Sequence, residues 1–335
     1  MRRRTQPSEL TLPEPGRELW LRTRDILKRG LETLGGTGLE YRIGGGTILA
    51  ARWKHRISHD IDISVDTGAP LKTLTAAANA WFEREVRETG GEANFDEQLN
   101  LYSISFADSG EPQRVELWAR SPLLAHGHTA ETVEGRSEVV LSTAQILRGK
   151  LERAHKKLAR DVYDIRCAEK RDPESLQAAV NTLPHSRLET LALDWYIGRG
   201  RIARYARERV NEIGQSDDPT HEDLAGEAGG TILRARYARF RMTVHNGQIV
   251  IETETRDGRR RRITTSAEAA VHDFEAYGIN GHLGNKGPGA DAIRQYATTL
   301  AQRGAQEVLV FEEENDEATL WRTATASGSR QEFAP

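Results

Sequence analysis

Cysteine is almost missing from this sequence: Cys167 is the single cysteine in 335 residues. This excludes an intrachain disulfide framework and a zinc site built from several cysteines. No stretch approaches the ~20 apolar residues that would span a bilayer. No apolar segment follows the basic start Met1–Thr5, so the pattern of a secretory signal is missing too. Together these absences predict a cytoplasmic protein that does not enter a membrane.

An excess of charge of one sign is also lacking. The chain carries 47 basic and 50 acidic residues, a net charge of −3, so its total charge does not indicate nucleic-acid binding. Hydrophobic residues make up 37% and charged residues 29% of the chain. This composition is at the polar end of the globular range and can still bury a core.

The length fits two or three modules. We predict an α/β (α+β) head with a mixed sheet over residues 1–141, an α-helical middle region over 142–214 and a small α+β domain over 226–335. The segment from Gln215 to about Gly230 is rich in Asp, Glu and Gly, which favours a linker or a long connection.

Periodicity predicts the individual elements. The predicted strands are Leu39–Ile43, Asp60–Val65, Leu101–Phe106, Arg114–Trp118, Phe240–His245, Gln248–Thr255, Arg259–Thr265 and Glu307–Phe311. The predicted helices are Pro15–Leu34, Thr47–Lys54, Leu71–Glu88, Ser142 to about Lys170, Pro173–Leu183, His185–Val210, Ser266–Tyr277 and Asp291–Gly304. Asn246-Gly247 and Asp257-Gly258 are hairpin signals between the strands that flank them.

One stretch carries a pattern that suits phosphate chemistry. Gly45-Gly46 would open a helix whose first N–H groups attract an anion, and Thr47 adds a hydroxyl there. Asp60 and Asp62 are two apart in a predicted strand, so both face one side while Ile61 and Ile63 face the other. Two such carboxylates suit Mg²⁺, which binds one or two carboxylates together with substrate phosphates. Glu116 on another predicted strand could be the third.

Residues 15–210 resemble the AbiEii/AbiGii-type nucleotidyltransferase toxin family of the polymerase β superfamily. The resemblance rests on Gly45-Gly46-Thr47, on His55-Arg56-Ile57-Ser58 and on Asp60-Ile61-Asp62. It continues in Lys150-Leu151 and in Arg160-Asp161-Val162-Tyr163-Asp164.

The resemblance implies an active site with the following roles. Asp60, Asp62 and Glu116 would bind Mg²⁺ or Mn²⁺, and Gly45, Gly46, Thr47, Ser58 and Lys150 would contact the phosphates of the NTP. Asp161 would act in or beside the active site, supported by Arg160, Tyr163 and Asp164. On an unbroken helix Lys150 and Asp161 would be roughly 16 Å apart along the axis, so we predict a turn near Lys157.

The function implied is metal-dependent transfer of a nucleotide from an NTP to an acceptor. By the resemblance, the protein would be the toxin of a toxin–antitoxin or phage-defence pair, with a separately encoded antitoxin and the tRNA 3′ end as first candidate acceptor. Two alternatives remain open: a small-molecule or protein nucleotidyltransferase, and a catalytically decayed module that binds RNA or a partner.

Three basic stretches bear on the RNA alternative. They are Arg2–Arg4, the group Arg234, Arg236, Arg239 and Arg241, and the run Arg259–Arg262. Each could contact RNA phosphates, but the run is also what an edge strand uses to discourage pairing with another chain. His55 and His59 precede the two aspartates, and we expect positioning or surface roles for them rather than metal binding.

Overall fold

The structure is a computed structural model that describes the chain in segments. The described residues are 9–35, 41–65, 83–96, 101–106, 113–119, 127–153, 159–185, 187–189, 191–192, 195, 202–204, 224–245, 248–266, 307–312, 322–324 and 330–332. The chain divides into two compact units, residues 1–146 with 211–217 and residues 147–210 with 218–335. The three-domain division proposed from the sequence stays a prediction.

Unit 1 contains a mixed sheet of eight strands in the order β1-β7-β8-β2-β3-β6-β5-β4. Its strands in chain order are β1 (Glu9–Leu10), β2 (Tyr41–Gly44), β3 (Ile61–Val65), β4 (Glu92–Asp96), β5 (Leu101–Phe106), β6 (Gln113–Ala119), β7 (His128–Val133) and β8 (Arg136–Leu141). Its helices are α1 (Gly16–Gly35), α2 (Gly45–Trp53) and α3 (residues 83–88). The mixed α/β head is confirmed.

The core of unit 1 lies between α1, α2 and the central strands. Leu19, Trp20 and Leu27 recur at helical spacing on α1 and are at most 1% exposed. Ile61 and Ile63 on β3 are fully buried, as their alternation with Asp60 and Asp62 predicts. Burial of these side chains fixes which face of β3 carries the aspartates, because a strand places successive residues on opposite faces.

Unit 2 contains helices and a second sheet. Its helices are α4 (Thr143–Glu152, which begins three residues before the unit boundary at 146), α5 (Ala159–Arg171), α6 (Pro173–Asn181) and α7 (Leu224–Arg236). Residues 185, 187–189, 191–192, 195 and 202–204 are also helical. Its strands are β9 (Tyr237–His245), β10 (Gln248–Thr255), β11 (Arg260–Ser266), β12 (Glu307–Glu312), β13 (Arg322–Ala324) and β14 (Arg330–Glu332), in the sheet order β11-β10-β9-β12-β13-β14.

The predicted linker is wrong over residues 224–230, which belong to α7. Leu224, Ala225, Ala228 and Ile232 recur at helical spacing and are at most 1% exposed, and α7 packs against α5 and α6. The Gly and Glu content of this segment concealed an apolar stripe. Residues 215–223 lie outside the described residues, as do the predicted helices Ser266–Tyr277 (beyond Ser266) and Asp291–Gly304 and most of Leu71–Glu88.

Candidate active site

The glycine turn begins where β2 ends, and it lets two charged side chains lie against the backbone of α2. Gly45 has a φ of +72°, in the left-handed region that favours glycine. A Cβ atom at Gly45 would overlap the carboxylate of Asp62, and one at Gly46 would overlap the guanidinium of Arg56. Because glycine has no side chain, the carboxylate of Asp62 and the guanidinium of Arg56 can lie against the first turn of α2. This role of the two glycines is separate from presenting N–H groups to an anion.

Asp62 and Glu116 are neighbours across two parallel strands. They are register partners in the pairing of β3 with β6, so their side chains lie on the same face of the sheet. Both residues are partly exposed, and so is Asp60, which directly precedes β3. The strand placement of Asp62 and Glu116 that the sequence suggested is thus what the structure has, and solvent reaches all three acids.

Thr47 and Ser58 tie α2 to the start of β3. The Thr47 side chain is fully buried, its hydroxyl donates to the main-chain carbonyl of Asp60, and it is 2.8 Å from the Ser58 hydroxyl. These bonds hold Asp60 next to the first turn of α2. Phosphate binding by the two hydroxyls stays a prediction, but the observed bonds already give both residues a positioning role.

His55 is buried rather than on the surface. Its ring lies edge-on to that of Trp53, with the centroids 5.3 Å apart. Arg56, the next residue, is also buried and donates from Nη1 to the carbonyl of Ile57 at 2.8 Å. The burial of His55 and its contact with Trp53 favour a positioning role over a surface role. His59 is half-buried.

A metal ion on the three acids stays a prediction. Within the segments that the structure describes, no three or more His, Cys, Asp or Glu side chains form a group ready to hold a metal. Mg²⁺ in phosphoryl transfer is commonly held by one or two carboxylates with substrate phosphates completing its shell. Partly exposed aspartates beside a glycine turn fit such a shared site better than a closed protein cage.

Unit 2 holds a second group of predicted site residues, and it is a buried ionic cluster. The Lys150 ammonium lies 2.6 Å from Oδ1 of Asp161 and 2.7 Å from Oδ2 of Asp164. Arg153 donates from Nε to Oδ2 of Asp161 at 2.9 Å and from an Nη to Oδ1 at 3.2 Å. We call Lys150, Arg153, Asp161 and Asp164 the α4–α5 cluster; its two cations balance its two carboxylates.

The α4–α5 cluster exists because the predicted long helix is interrupted. Helix α4 ends at Glu152, Arg153 is in a turn, and α5 begins at Ala159. The helical interruption is confirmed, whereas Lys157 itself lies outside the described residues. The hydroxyl of Ser142 accepts a hydrogen bond from the N–H of Gln145 at 3.3 Å and so caps α4. Tyr163 on α5 is fully buried, and Arg160 is half-buried.

Asp161 is held in its ionised form. Burial by itself would raise the pKa of Asp161, but the charges and hydrogen bonds of Lys150 and Arg153 lower the pKa to about 2. A carboxylate with so low a pKa is a poor proton acceptor at neutral pH. Asp161 therefore orients the cations beside it instead of serving as a general base.

The predicted residues thus fall into two groups. Gly45, Asp62 and Glu116 come together in unit 1 with Thr47, Ser58 and Asp60, and the α4–α5 cluster forms in unit 2. Their participation in one active site stays a prediction. Sequence reasoning missed Arg153, since it lies outside both motifs. Its spacing of three from Lys150 was the available signal, because residues three apart on a helix share a face.

The run Arg259–Arg262 is largely occupied by acidic partners. Arg260 pairs with Glu254, Arg262 pairs with Glu252, and Arg259 pairs with Asp257. Arg261 points the other way and binds the buried carboxylate of Glu189 at 2.6 and 2.7 Å. These pairs favour the interpretation of a charged edge strand over that of an RNA surface. Arg2–Arg4 lie outside the described residues.

The comparisons with known proteins identify the family of this chain. The family described as "Nucleotidyl transferase AbiEii toxin, Type IV TA system" matches residues 33–249, more than half of the chain. The chain therefore belongs to the AbiEii nucleotidyltransferase toxin family.

Two solved structures are similar to this chain at low identity. The crystal structure of JHP933 from Helicobacter pylori has a TM-score of 0.39 and 16% identity, and the match covers 65% of this chain and 92% of that one. A second H. pylori protein, assigned as a nucleotidyltransferase, has a TM-score of 0.39 and 17% identity over 65% and 95% of the two chains. A comparison with curated proteins finds no match. No helix among the described residues has the length and apolarity to cross a membrane.

Proposed function

We propose that this protein transfers a nucleotide from an NTP to an acceptor and releases pyrophosphate, as the toxin of a toxin–antitoxin pair. Membership of the AbiEii family supports the chemistry. The observation that carries the proposal is the contact of Asp62 with the glycine turn, next to Glu116 on the neighbouring strand. That contact puts a carboxylate at the end of a helix where an NTP phosphate would be attracted.

In this proposal Asp60 and Asp62 hold Mg²⁺ or Mn²⁺, with Glu116 as a third ligand. The ion, when bound, neutralises phosphate charge. The N–H groups at the start of α2, from Gly45 to Thr47, receive the triphosphate, and the buried bonds of Thr47 and Ser58 keep Asp60 in place. Together these residues bind and orient the NTP.

The reaction breaks a phosphoanhydride bond and forms a phosphodiester bond. A hydroxyl oxygen of the acceptor forms a bond to the α-phosphorus, and the bond from that phosphorus to the bridging oxygen of the β-phosphate breaks. Pyrophosphate leaves with the electron pair, and the hydroxyl proton passes to water. We propose an RNA 3′ hydroxyl as the acceptor, with tRNA first, and a separately encoded antitoxin as the partner that neutralises the activity.

Label transfer tests the proposal. The full-length protein is mixed with each α-³²P-NTP, Mg²⁺ and total RNA, alongside Asp62→Ala and a matched surface control, Asp25→Ala. Asp25 is an exposed acid of unit 1 paired with Arg136. We expect label in tRNA from wild type and Asp25→Ala, and a loss of about 100-fold or more for Asp62→Ala. Chelation of the metal by EDTA should abolish transfer as well.

Other outcomes separate the alternatives. Label in protein or in an added small molecule would replace tRNA as the acceptor and keep the chemistry. Transfer that survives in Asp62→Ala would contradict the proposed site. Arrest of cell growth on expression, abolished by Asp62→Ala, distinguishes a toxin enzyme from a module that only binds RNA or a partner.

A further inference from the structure

The α4–α5 cluster presents only one of its two cations to solvent. The side chains of Lys150, Asp161 and Asp164 are at most 3% exposed, whereas that of Arg153 is 26% exposed. We propose that Arg153 is the residue of this cluster that contacts a substrate phosphate, and that Lys150 is a positioning residue. The inference rests on the proposed function and changes the role that the family resemblance implied for Lys150.

Lys150 is poorly placed to meet a phosphate. Its ammonium is held by two carboxylates, both as buried as it is, at 2.6 and 2.7 Å. Reaching a substrate would require it to leave both partners and would leave buried negative charge uncompensated. The arrangement instead uses Lys150 to hold Asp161 and Asp164 in place.

Arg153 is held in place by hydrogen bonds and is also partly exposed to solvent. Two bonds to the two oxygens of Asp161 fix the plane of its guanidinium, and a guanidinium has five N–H donors in that plane. The bonds to Asp161 use Nε and one Nη, and the side chain is still 26% exposed, so a phosphate can approach it from solvent. Arginine binds phosphate through paired donors better than a point charge does. Asp161 acts through Arg153, as a positioning residue.

The charge of the cluster favours the same reading. Its two carboxylates and two cations cancel, so the cluster is stable without an anion and does not depend on one to fold. An arriving phosphate shares Arg153 with Asp161, while Lys150 keeps its ion pairs with both carboxylates. Loss of Arg153 removes the contact with the anion and leaves Lys150 in place.

Steady-state kinetics and thermal unfolding of the full chain test this assignment. The variants are Arg153→Ala and Arg153→Lys, with Arg148→Ala as the matched control. Arg148 is on α4, five residues before Arg153; it is 29% exposed and makes an ion pair with Glu152 at 2.7 Å. We expect Arg153→Ala to raise the KM for NTP or for tRNA by about tenfold or more, Arg153→Lys to recover part of it, and Arg148→Ala to match wild type.

Direct binding separates the two sources of phosphate and does not depend on catalysis. Calorimetry with ATP, and with a tRNA transcript, is performed on wild type and on Arg153→Ala. Weaker ATP binding assigns Arg153 to the triphosphate, and weaker tRNA binding assigns it to the RNA backbone.

Three results would overturn the inference: unchanged KM values and unchanged binding of both probes, a change confined to the melting temperature, or binding of neither probe by wild type. The proposed function fails differently, through transfer that survives Asp62→Ala. A normal Arg153→Ala enzyme together with an inactive Asp62→Ala enzyme would reject this inference and leave the proposed function standing.

Discussion

Lys150 and Asp161 are eleven residues apart in the sequence, yet Nζ of the lysine lies 2.6 Å from Oδ1 of the aspartate. An unbroken helix would separate them by roughly 16 Å along its axis. The contact requires α4 to end at Glu152 and α5 to begin separately at Ala159. A buried ion pair therefore joins two helices that the sequence pattern could not distinguish from one.

The first prediction concerns the stability that Lys150 confers. Lys150→Met removes one cation from a buried cluster and leaves two carboxylates with Arg153 alone, so the free energy of unfolding should fall by about 3–5 kcal/mol. Urea denaturation measures the change. Arg148→Met on the same helix removes a more exposed cation and should cost less than about 1 kcal/mol. Equal losses for the two variants would contradict the buried-cluster interpretation.

The second prediction concerns acid. The pKa of Asp161 in the folded protein is about 2, below its ordinary value near 3.9. The unfolded chain therefore takes up the proton first as the pH falls. The stability from this group is fully present above about pH 4 and is lost as the pH falls from 4 toward 2.

Asp161→Asn provides the comparison for that prediction, because asparagine keeps the shape and lacks the titration. The difference in unfolding free energy between wild type and Asp161→Asn should shrink as the pH falls through this window. A difference that stays constant from pH 6 to pH 2.5 would show that Asp161 has an ordinary pKa.

Local pattern was enough to predict much of the fold. Alternation placed Ile61 and Ile63 in the core and the aspartates on the other face, and Asp257-Gly258 marked a hairpin between β10 and β11. These features depend on neighbours in sequence. The helix α7 was missed because its glycines outweighed its apolar stripe in the composition.

The sequence was enough to predict the motifs of the candidate site, but not the contacts between their residues. Gly45 and Asp62 were both identified, but their mutual contact depends on how α2 packs against β3. The bond from Arg261 to Glu189 joins residues 72 apart, and no periodicity signals such a pair. Long-range ion pairs follow from packing, which a single sequence does not encode in any local pattern.

The third prediction tests the glycine turn. Gly45→Ala introduces a side chain at a φ of +72° and a Cβ that overlaps the carboxylate of Asp62. We expect nucleotide transfer to be lost, because Asp62 must move, with a fall in melting temperature. Label transfer and thermal unfolding are the measurements.

Gly135→Ala is the matched control for Gly45→Ala. Gly135 has a φ of +76° in the turn between β7 and β8, but no atom lies within 4 Å of the position of its Cβ. The control therefore carries the backbone strain of about 1 kcal/mol without the collision, and its transfer activity should stay at the wild-type level. Comparable activity of the two variants would show that Asp62 does not depend on the glycine turn.

The fourth prediction separates Arg261 from the rest of its arginine run. Glu189 is buried, and burial raises its pKa while Arg261 opposes that rise. Arg261→Ala would leave Glu189 with the hydroxyl of Tyr237, which donates to it at 3.0 Å, as its remaining hydrogen-bond partner among those described here. The free energy of unfolding should fall by about 3 kcal/mol.

Arg262→Ala is the counterpart, because Arg262 is 71% exposed and pairs with the partly exposed Glu252 at 3.4 Å. Its loss should change stability by less than about 1 kcal/mol. If the run bound RNA through its exposed members, Arg262→Ala would instead weaken tRNA binding and reduce its dependence on salt. Because Arg260 and Arg262 already pair with Glu254 and Glu252 on β10, we expect Arg262→Ala to leave both tRNA binding and its salt dependence unchanged. Urea denaturation and tRNA-binding titrations of Arg261→Ala and Arg262→Ala distinguish a structural role of the run from an RNA-binding one.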